Sequence, residues 1–404
     1  MKHRMVMLAT SAAFVAMAGG AFADDQAAAP GSPPATPAPA APAPAAMSTP
    51  AMGPPLSANS NPASFDAGPL GKIYVTGALT ALAFTQTNAV GGDRASWGDL
   101  GNAQVFMQKT DGLIQFFVQA GAYSLPALGS PYIKASSMTG DTYGVVPQAF
   151  VKIAPTAEFN IIVGKLPTLI GAEYTFSFEN TNIERGLLWN QENAVNRGVQ
   201  ANYAKGPLTI SLSVNDGFYS NRYDWGSALV AWAINPRDTI TVAAIGDYFG
   251  HSAKSTFATP LVPDNSQIYN LIFTHNSGPL TLTPYLQYTY VPAVPAIGIL
   301  HSASTIGVAL IAKYSLTPTL SLAARGEYIS STGGGGADAT NLLYGPGSNA
   351  WSLTFTPAYQ FKTFFVRGEV SYVKADSLTP GFVFDQLGTA TSQARLMVET
   401  GVLF

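Results

Sequence analysis

The chain has 404 residues, a formal net charge of −3, 47% hydrophobic and only 11% charged residues, with 39 Gly, 29 Pro and no Cys. Ordinary soluble proteins carry about 25% charged residues, and helical membrane proteins need runs of about 18 or more apolar ones; neither fits. Dispersed apolar residues fit a membrane β-barrel, and the missing basic excess argues against nucleic acid as a partner.

Lys2, His3 and Arg4 precede an apolar run, Met5 to Ala18, and then Ala21-Phe22-Ala23. That order is the pattern of a secretory signal peptide over 1–23. Its removal leaves 18 Lys+Arg against 23 Asp+Glu, a net charge of −5. A secreted chain without cysteine has no disulfides to draw on. Residues 24–63 are mostly Ala, Pro, Ser and Gly, with Pro33-Pro34-Ala35-Thr36-Pro37-Ala38-Pro39 at their centre. Such a segment buries too little to fold and favours polyproline II. We expect a disordered periplasmic leader, either a spacer touching peptidoglycan or a tail without a partner.

From Lys72 the text alternates. In Leu208-Thr-Ile-Ser-Leu-Ser-Val214 the apolar residues share one parity and the hydroxyls the other, and Trp351 to Thr356 repeats this. Period two denotes a strand between two unlike environments. Sixteen strands are read: 72–86, 100–109, 113–121, 145–154, 157–166, 196–205, 207–215, 225–235, 237–248, 266–276, 279–291, 303–315, 319–329, 349–361, 363–374 and 393–404. Tight turns such as Thr110-Asp111-Gly112 and Leu316-Thr317-Pro318 alternate with connections of ten to thirty residues. This predicts an all-β fold, a sixteen-stranded antiparallel up-and-down transmembrane barrel over 64–404, with short periplasmic turns and long outer loops. An even count returns both ends of the barrel to the periplasm.

Lipid cannot hydrogen-bond Thr, Ser or Gln, so the polar parity faces the lumen, and sixteen strands leave that lumen wide enough for water. Trp351 and Phe361 share the apolar parity ten residues apart. At about 3.4 Å per residue and a tilt of about 45° they are separated by roughly 24 Å, close to the apolar band. Tyr248, Tyr288 and Tyr290 then form an outer girdle, and Trp232, Tyr314, Tyr359 and Phe404 an inner one. The uncharged run 291–312 contains two prolines and is not read as a helix.

No arrangement of His251, His275 or His301 resembles a catalytic constellation, and no metal or phosphate motif occurs. We expect no enzyme, cofactor or metal. The informative charges lie on lumen parity: Arg325 and Glu327, Arg367 and Glu369, Arg395 and Glu399. Neighbouring strands gather them into one wall cluster. It either filters ions, as charge rings do, or pairs internally and stiffens the wall. Lys152, Lys313, Glu158 and Asp247 complete a balanced set of presumed lumen charges. The longest loop, 166–195, carries Glu173, Glu179, Asn180, Asn182, Glu184, Arg185 and Glu192. Loops of this length are rarely idle. Folded inward, it would face the arginine wall across a narrow, polarised slot.

Gly164-Lys165, Gly171-Ala-Glu173, Glu179-Asn180-Thr-Asn182, Arg185 and Arg197-Gly198-Val199-Gln200 resemble the central motif of the OmpL-like β-barrel porins of Gram-negative outer membranes. The final strand ending in Phe404 resembles the terminal signal read by the barrel-assembly machinery. The family resemblance implies passive diffusion of small hydrophilic solutes and ions. Outer-membrane lipid and lipopolysaccharide are the expected surroundings of such a barrel, and since large porins are often trimers, a homotrimer is one assembly open to it. Two other functions stay open: a structural or adhesive barrel with a closed lumen, and a channel specific for sugars or carboxylates.

Overall fold

The computed structural model describes residues 56–333 and 338–404. The signal peptide and leader residues 24–55 lie outside them. A short strand, β1 (Ala63–Asp66), precedes the barrel. The first half of the barrel is β2 (Lys72–Gln86), β3 (Ser96–Lys109), β4 (Ile114–Tyr123), β5 (Gln148–Ile153), β6 (Phe159–Pro167), β7 (Val195–Lys205), β8 (Leu208–Asn215) and β9 (Trp225–Ala233). The second half is β10 (Asp238–Gly246), β11 (Gln267–Ser277), β12 (Leu280–Val291), β13 (Ala303–Ser315), β14 (Leu320–Ser331), β15 (Asn349–Phe361), β16 (Phe364–Asp376) and β17 (Ser392–Leu403). Each barrel strand pairs antiparallel with the next, and β17 closes on β2 from Arg395↔Gln86 to Leu403↔Ala78. The sixteen-stranded closed barrel is thus present, nearly strand for strand as expected. Closure is the physical point, because it leaves no edge of unpaired backbone to face lipid.

Alternation appears directly in burial. Along β15, Ala350, Ser352, Thr354, Thr356 and Ala358 are buried, whereas Leu353 is 59% and Phe355 48% exposed. Polar residues therefore point inward and apolar ones outward. Trp351 pairs with Tyr328, and Tyr269 stacks on Tyr288, along the long-loop end. Trp232, Tyr314, Tyr359 and Phe361 stand exposed at the short-turn end.

Three features differ from the sequence reading. β3 starts at Ser96, and its pairing with β2 shifts between Thr80 and Ala81. This bulge carries both Trp97, opposite Phe84, and Asn102, opposite Thr80, to the lumen side. Their parities differ, so strict period two fails there. β1 is an added strand, paired with Lys72 to Val75 of β2. Glu158 lies in the turn before β6 and Asp247 in the loop after β10, so neither belongs to the wall.

The connections at the long-loop end fold over one another. In the loop after β10, a helical turn, α1 (Leu261–Asp264), lies against Trp225, whose indole N–H donates to the Asp264 carbonyl at 3.0 Å. The Asp264 side chain sits in a residue only 1% exposed. Burial, reinforced by Asp224 and Asp216, pushes its carboxyl up to about 8. A raised carboxyl favours folding in its protonated form. The stability it contributes is complete below about pH 4, its unfolded value, and is lost as pH rises through the folded value. Trp225 fluorescence should therefore report loosening of this loop as pH rises from about 4 to about 8, and Asp264→Asn should remove the transition. A flat parent profile would show that the carboxyl does not control the loop.

Candidate functional site

The long connection between β6 and β7 runs inside the barrel. Its apolar residues Phe176, Phe178, Trp189 and Ala194 pack with Phe106, Phe117, Tyr123 and Phe365. Its polar residues face β14 to β17. The chain can turn inward because short 3-10 turns at Ser177–Glu179 and Trp189–Gln191 reverse it twice. Gly171 adds a positive φ of 89°. Beside it the backbone of Arg185 bridges the preceding loop: its N–H donates to Pro126 O at 3.1 Å, and its carbonyl accepts from Leu128 N at 2.9 Å.

Three arginines of the wall receive this loop. Arg325 Nη1 lies 2.5 Å from Glu173 Oε1 and donates to the Glu184 carbonyl at 2.7 Å. Its Nε stands 3.2 Å from Glu327 Oε2. Arg367 binds Glu399, its partner in the strand register, at 2.6 Å, and holds the Asn180 carbonyl at 2.9 Å. Arg395 pairs closely with Glu184 and donates to Gln86 Oε1 at 2.7 and 3.0 Å. Glu369 accepts from two backbone N–H groups of the loop, Ile183 at 2.5 Å and Glu184 at 2.9 Å.

The remaining residues singled out in the sequence join the same network. Asn180 Nδ2 donates to Glu173 at 3.1 Å, Asn182 Nδ2 to Thr356 Oγ1 at 2.7 Å, and the Phe176 N–H to Glu179 at 3.4 Å. Arg185 lies 5.1 Å above the Trp189 ring and donates to the Ile183 carbonyl at 3.3 Å. Of the seven loop and six wall residues named from the sequence, none is more than 6% exposed. The expected slot between loop acids and wall arginines is therefore absent. Loop and wall touch, and every charge of the wall cluster has an opposite charge or backbone N–H against it.

Sequence reasoning missed the hydroxyl and glycine positions. Ser177 Oγ donates to Glu399 at 2.5 Å, Ser352 and Thr356 to Glu327 and Glu369 at 2.7 Å each, and Ser371 to Glu184 at 2.7 Å. A Cβ on Gly186 would overlap the Glu327 carboxylate. Serines and threonines on lumen parity are too common for any single one to stand out. Farther round, Gln191 Oε1 accepts from Thr289 at 2.9 Å and from Thr305 at 2.6 Å, fixing the loop to β12 and β13. Among the described residues, no group of three or more His, Asp or Glu is placed to hold a metal.

Polar lumen residues outside this contact remain partly accessible toward the short-turn end: Lys152, Asn160, Asn202, Thr239, Asn276, Thr281 and Lys313. A closed barrel with a polar interior and an in-folded loop defines an outer-membrane channel of the porin class. The chain belongs to the family described as "putative beta-barrel porin-2, OmpL-like", whose sequence profile matches residues 72–404. No curated protein matches it. The barrel is similar to the anion-selective porin of Comamonas acidovorans, with 12% identity, TM-score 0.55, and coverage of 82% of this chain and 99% of that one. It is also similar to the outer membrane channel DcaP of Acinetobacter baumannii (11% identity, TM-score 0.54, 82% and 97% covered). A trimer form of OmpT from Vibrio cholerae shows 10% identity, TM-score 0.53, and 82% and 99% coverage.

Proposed function

We propose that this porin passes small hydrophilic solutes and ions by diffusion along the side of the lumen that the in-folded loop leaves free. The loop with Glu173, Glu179, Asn180, Asn182, Glu184 and Arg185 acts as a post clamped to the Arg325, Arg367 and Arg395 wall. It narrows the channel by bulk, and the clamped charges select little, because each is neutralised where it sits. The observation that carries this is direct wall contact at three buried arginines, beside partly accessible amide and hydroxyl groups on β6 to β13. Nothing in this route makes or breaks a bond, and no catalytic role is assigned.

The short-turn end then faces the periplasm, where the leader emerges, and Phe404 serves as the assembly signal. The outer wall also supports a homotrimer. Outward positions on β17, β2, β3, β4 and β5 are small or aliphatic: Val398, Ala81, Ala83, Val105, Ala120, Ala122 and Val151, with Phe116 the aromatic exception within the strands. β9 to β16 instead carry Trp232, Tyr269, Tyr288, Tyr314, Tyr328, Trp351 and Tyr359. Aromatic belts mark contact with membrane interfaces, so a face without one suits protein neighbours.

Single-channel recording in a planar bilayer under a salt gradient tests the reading. Steady open steps with a small reversal potential are expected, closing in thirds if three copies assemble. Correctly folded protein that never conducts would overturn the channel reading in favour of a structural barrel. A strongly one-sided reversal potential would favour a charge-specific channel.

A further inference from the structure

The segment just before the barrel does not hang free. Leu56 is only 3% exposed and packs in one cluster with Ala78, Phe106, Phe365 and Leu403. All four of those point into the lumen at the short-turn end of β2, β3, β16 and β17. One residue on, Ser57 is clamped by a side-chain amide from β15. Its N–H donates to Gln360 Oε1 at 2.7 Å, and Gln360 Nε2 donates to the Ser57 carbonyl at 2.8 Å. Gln360 has lumen parity and also donates to the Lys362 carbonyl at 3.0 Å. Asn59 and Asn61 then close a reciprocal turn at 3.0 and 3.2 Å.

The other end of the segment is fixed by backbone. β1 pairs with Lys72 to Val75 of β2, while Phe404 exchanges both backbone hydrogen bonds with Gly77, at 2.8 and 3.0 Å. β1 thus carries on the line of β17 just beyond the C-terminus. Residues 56–62 connect that line to β15, which lies two strands away around the mouth. Residues 56–61 bound a cavity of about 760 Å³ together with Lys313, Thr319, Ser321 and Lys362. Lys313 is one of the partly accessible lumen groups that the proposed route passes.

We propose that residues 56–61 form a strap across the short-turn mouth and make a second narrow point of the channel. Leu56 and Gln360 are its positioning residues. The inference rests on the channel reading and adds a constriction on the short-turn side of the in-folded loop, whose Phe176 and Phe178 belong to the same cluster as Leu56. Two features favour a movable strap over a fixed part of the wall. Among the described residues, one side-chain amide and one buried leucine hold it between β1 and the leader, and the cavity beside it gives it room to shift.

The test is single-channel recording of the full chain, comparing parent, Gln360→Ala and Leu56→Ser, with neutral polymers of graded size added to one side at a time. Gln360→Ala removes the two amide hydrogen bonds to the strap, worth together about 1.4 kcal/mol, so occupancy of a higher-conductance level should rise about tenfold. Larger polymers should enter from the short-turn side only, with the long-loop side unchanged. A general loss of barrel stability would alter both sides alike. Variants identical to a conducting parent in level and in polymer entry would overturn the strap alone. A silent parent with conducting variants would support the strap as a closure. Parent and variants all folded and all silent would overturn both the strap and the channel reading beneath it.

Discussion

Arg325→Met combined with Arg367→Met should give channels with noisier open levels and a shift in permeability toward cations. Removing one member of a buried pair costs about 3–5 kcal/mol, because the other charge is left without a partner. Here Glu173 and Glu327 would lose Arg325, and Glu399 would lose Arg367. The in-folded loop would also lose the donors to its Glu184, Asn180 and Ser177 carbonyls. It should move off the wall, admit water and expose carboxylates, which favours cations. Replacing both partners of one pair, Arg367→Met with Glu399→Leu, should behave differently. Exchange of a buried pair for apolar groups is often neutral, so that double variant should be quieter than the two-arginine variant, its remaining losses being the donors to the Asn180 and Ser177 carbonyls and the Ser177 hydroxyl contact. An unchanged permeability ratio and noise in the two-arginine variant would show that these pairs do not hold the constriction.

What could be read from the sequence was whatever depends on local period. Leu208 to Val214 alternates because one face meets lipid and the other the lumen, and β8 follows at Leu208–Asn215. The tight turns and long connections likewise followed from residue type alone. Where one inserted residue breaks the alternation, as at the Thr80/Ala81 register shift, the start of β3 was misread by four positions. The site was legible as a list of charges and not as a set of pairs. Arg325 meets Glu173 across 152 residues and Arg395 meets Glu184 across 211. Composition gives the signs of such groups, while only the closed fold gives their distances. For the same reason the slot expected between loop and wall became direct contact: the loop's aromatic residues pull it onto Phe106, Phe117 and Phe365, and its acids reach the arginines. Residues 56–61 read as the tail of a Pro/Ala-rich leader because their partner, Gln360, is 303 residues away.

Glu369→Leu should be among the most damaging single changes in the lumen, and its effect should separate charge from backbone anchoring. The Glu369 carboxylate takes the N–H groups of Ile183 and Glu184 at 2.5 and 2.9 Å and the Thr356 hydroxyl at 2.7 Å. Among the described residues no arginine is within ion-pair distance of it, so its work is to hold loop backbone. Leucine would leave two buried N–H groups unsatisfied, each costing about 1–3 kcal/mol. Glu369→Gln keeps one acceptor oxygen and the shape, and should cost about half as much. In heat-modifiability assays Leu should therefore lower the unfolding temperature further than Gln. Proteolysis within 176–186 should follow the same order. If the two variants are equally mild, water replaces the carboxylate readily, and the loop is held by the arginine pairs alone. If Gln matches Leu at full severity, the negative charge itself is required, and the loop is anchored by the field of the wall more than by its hydrogen bonds.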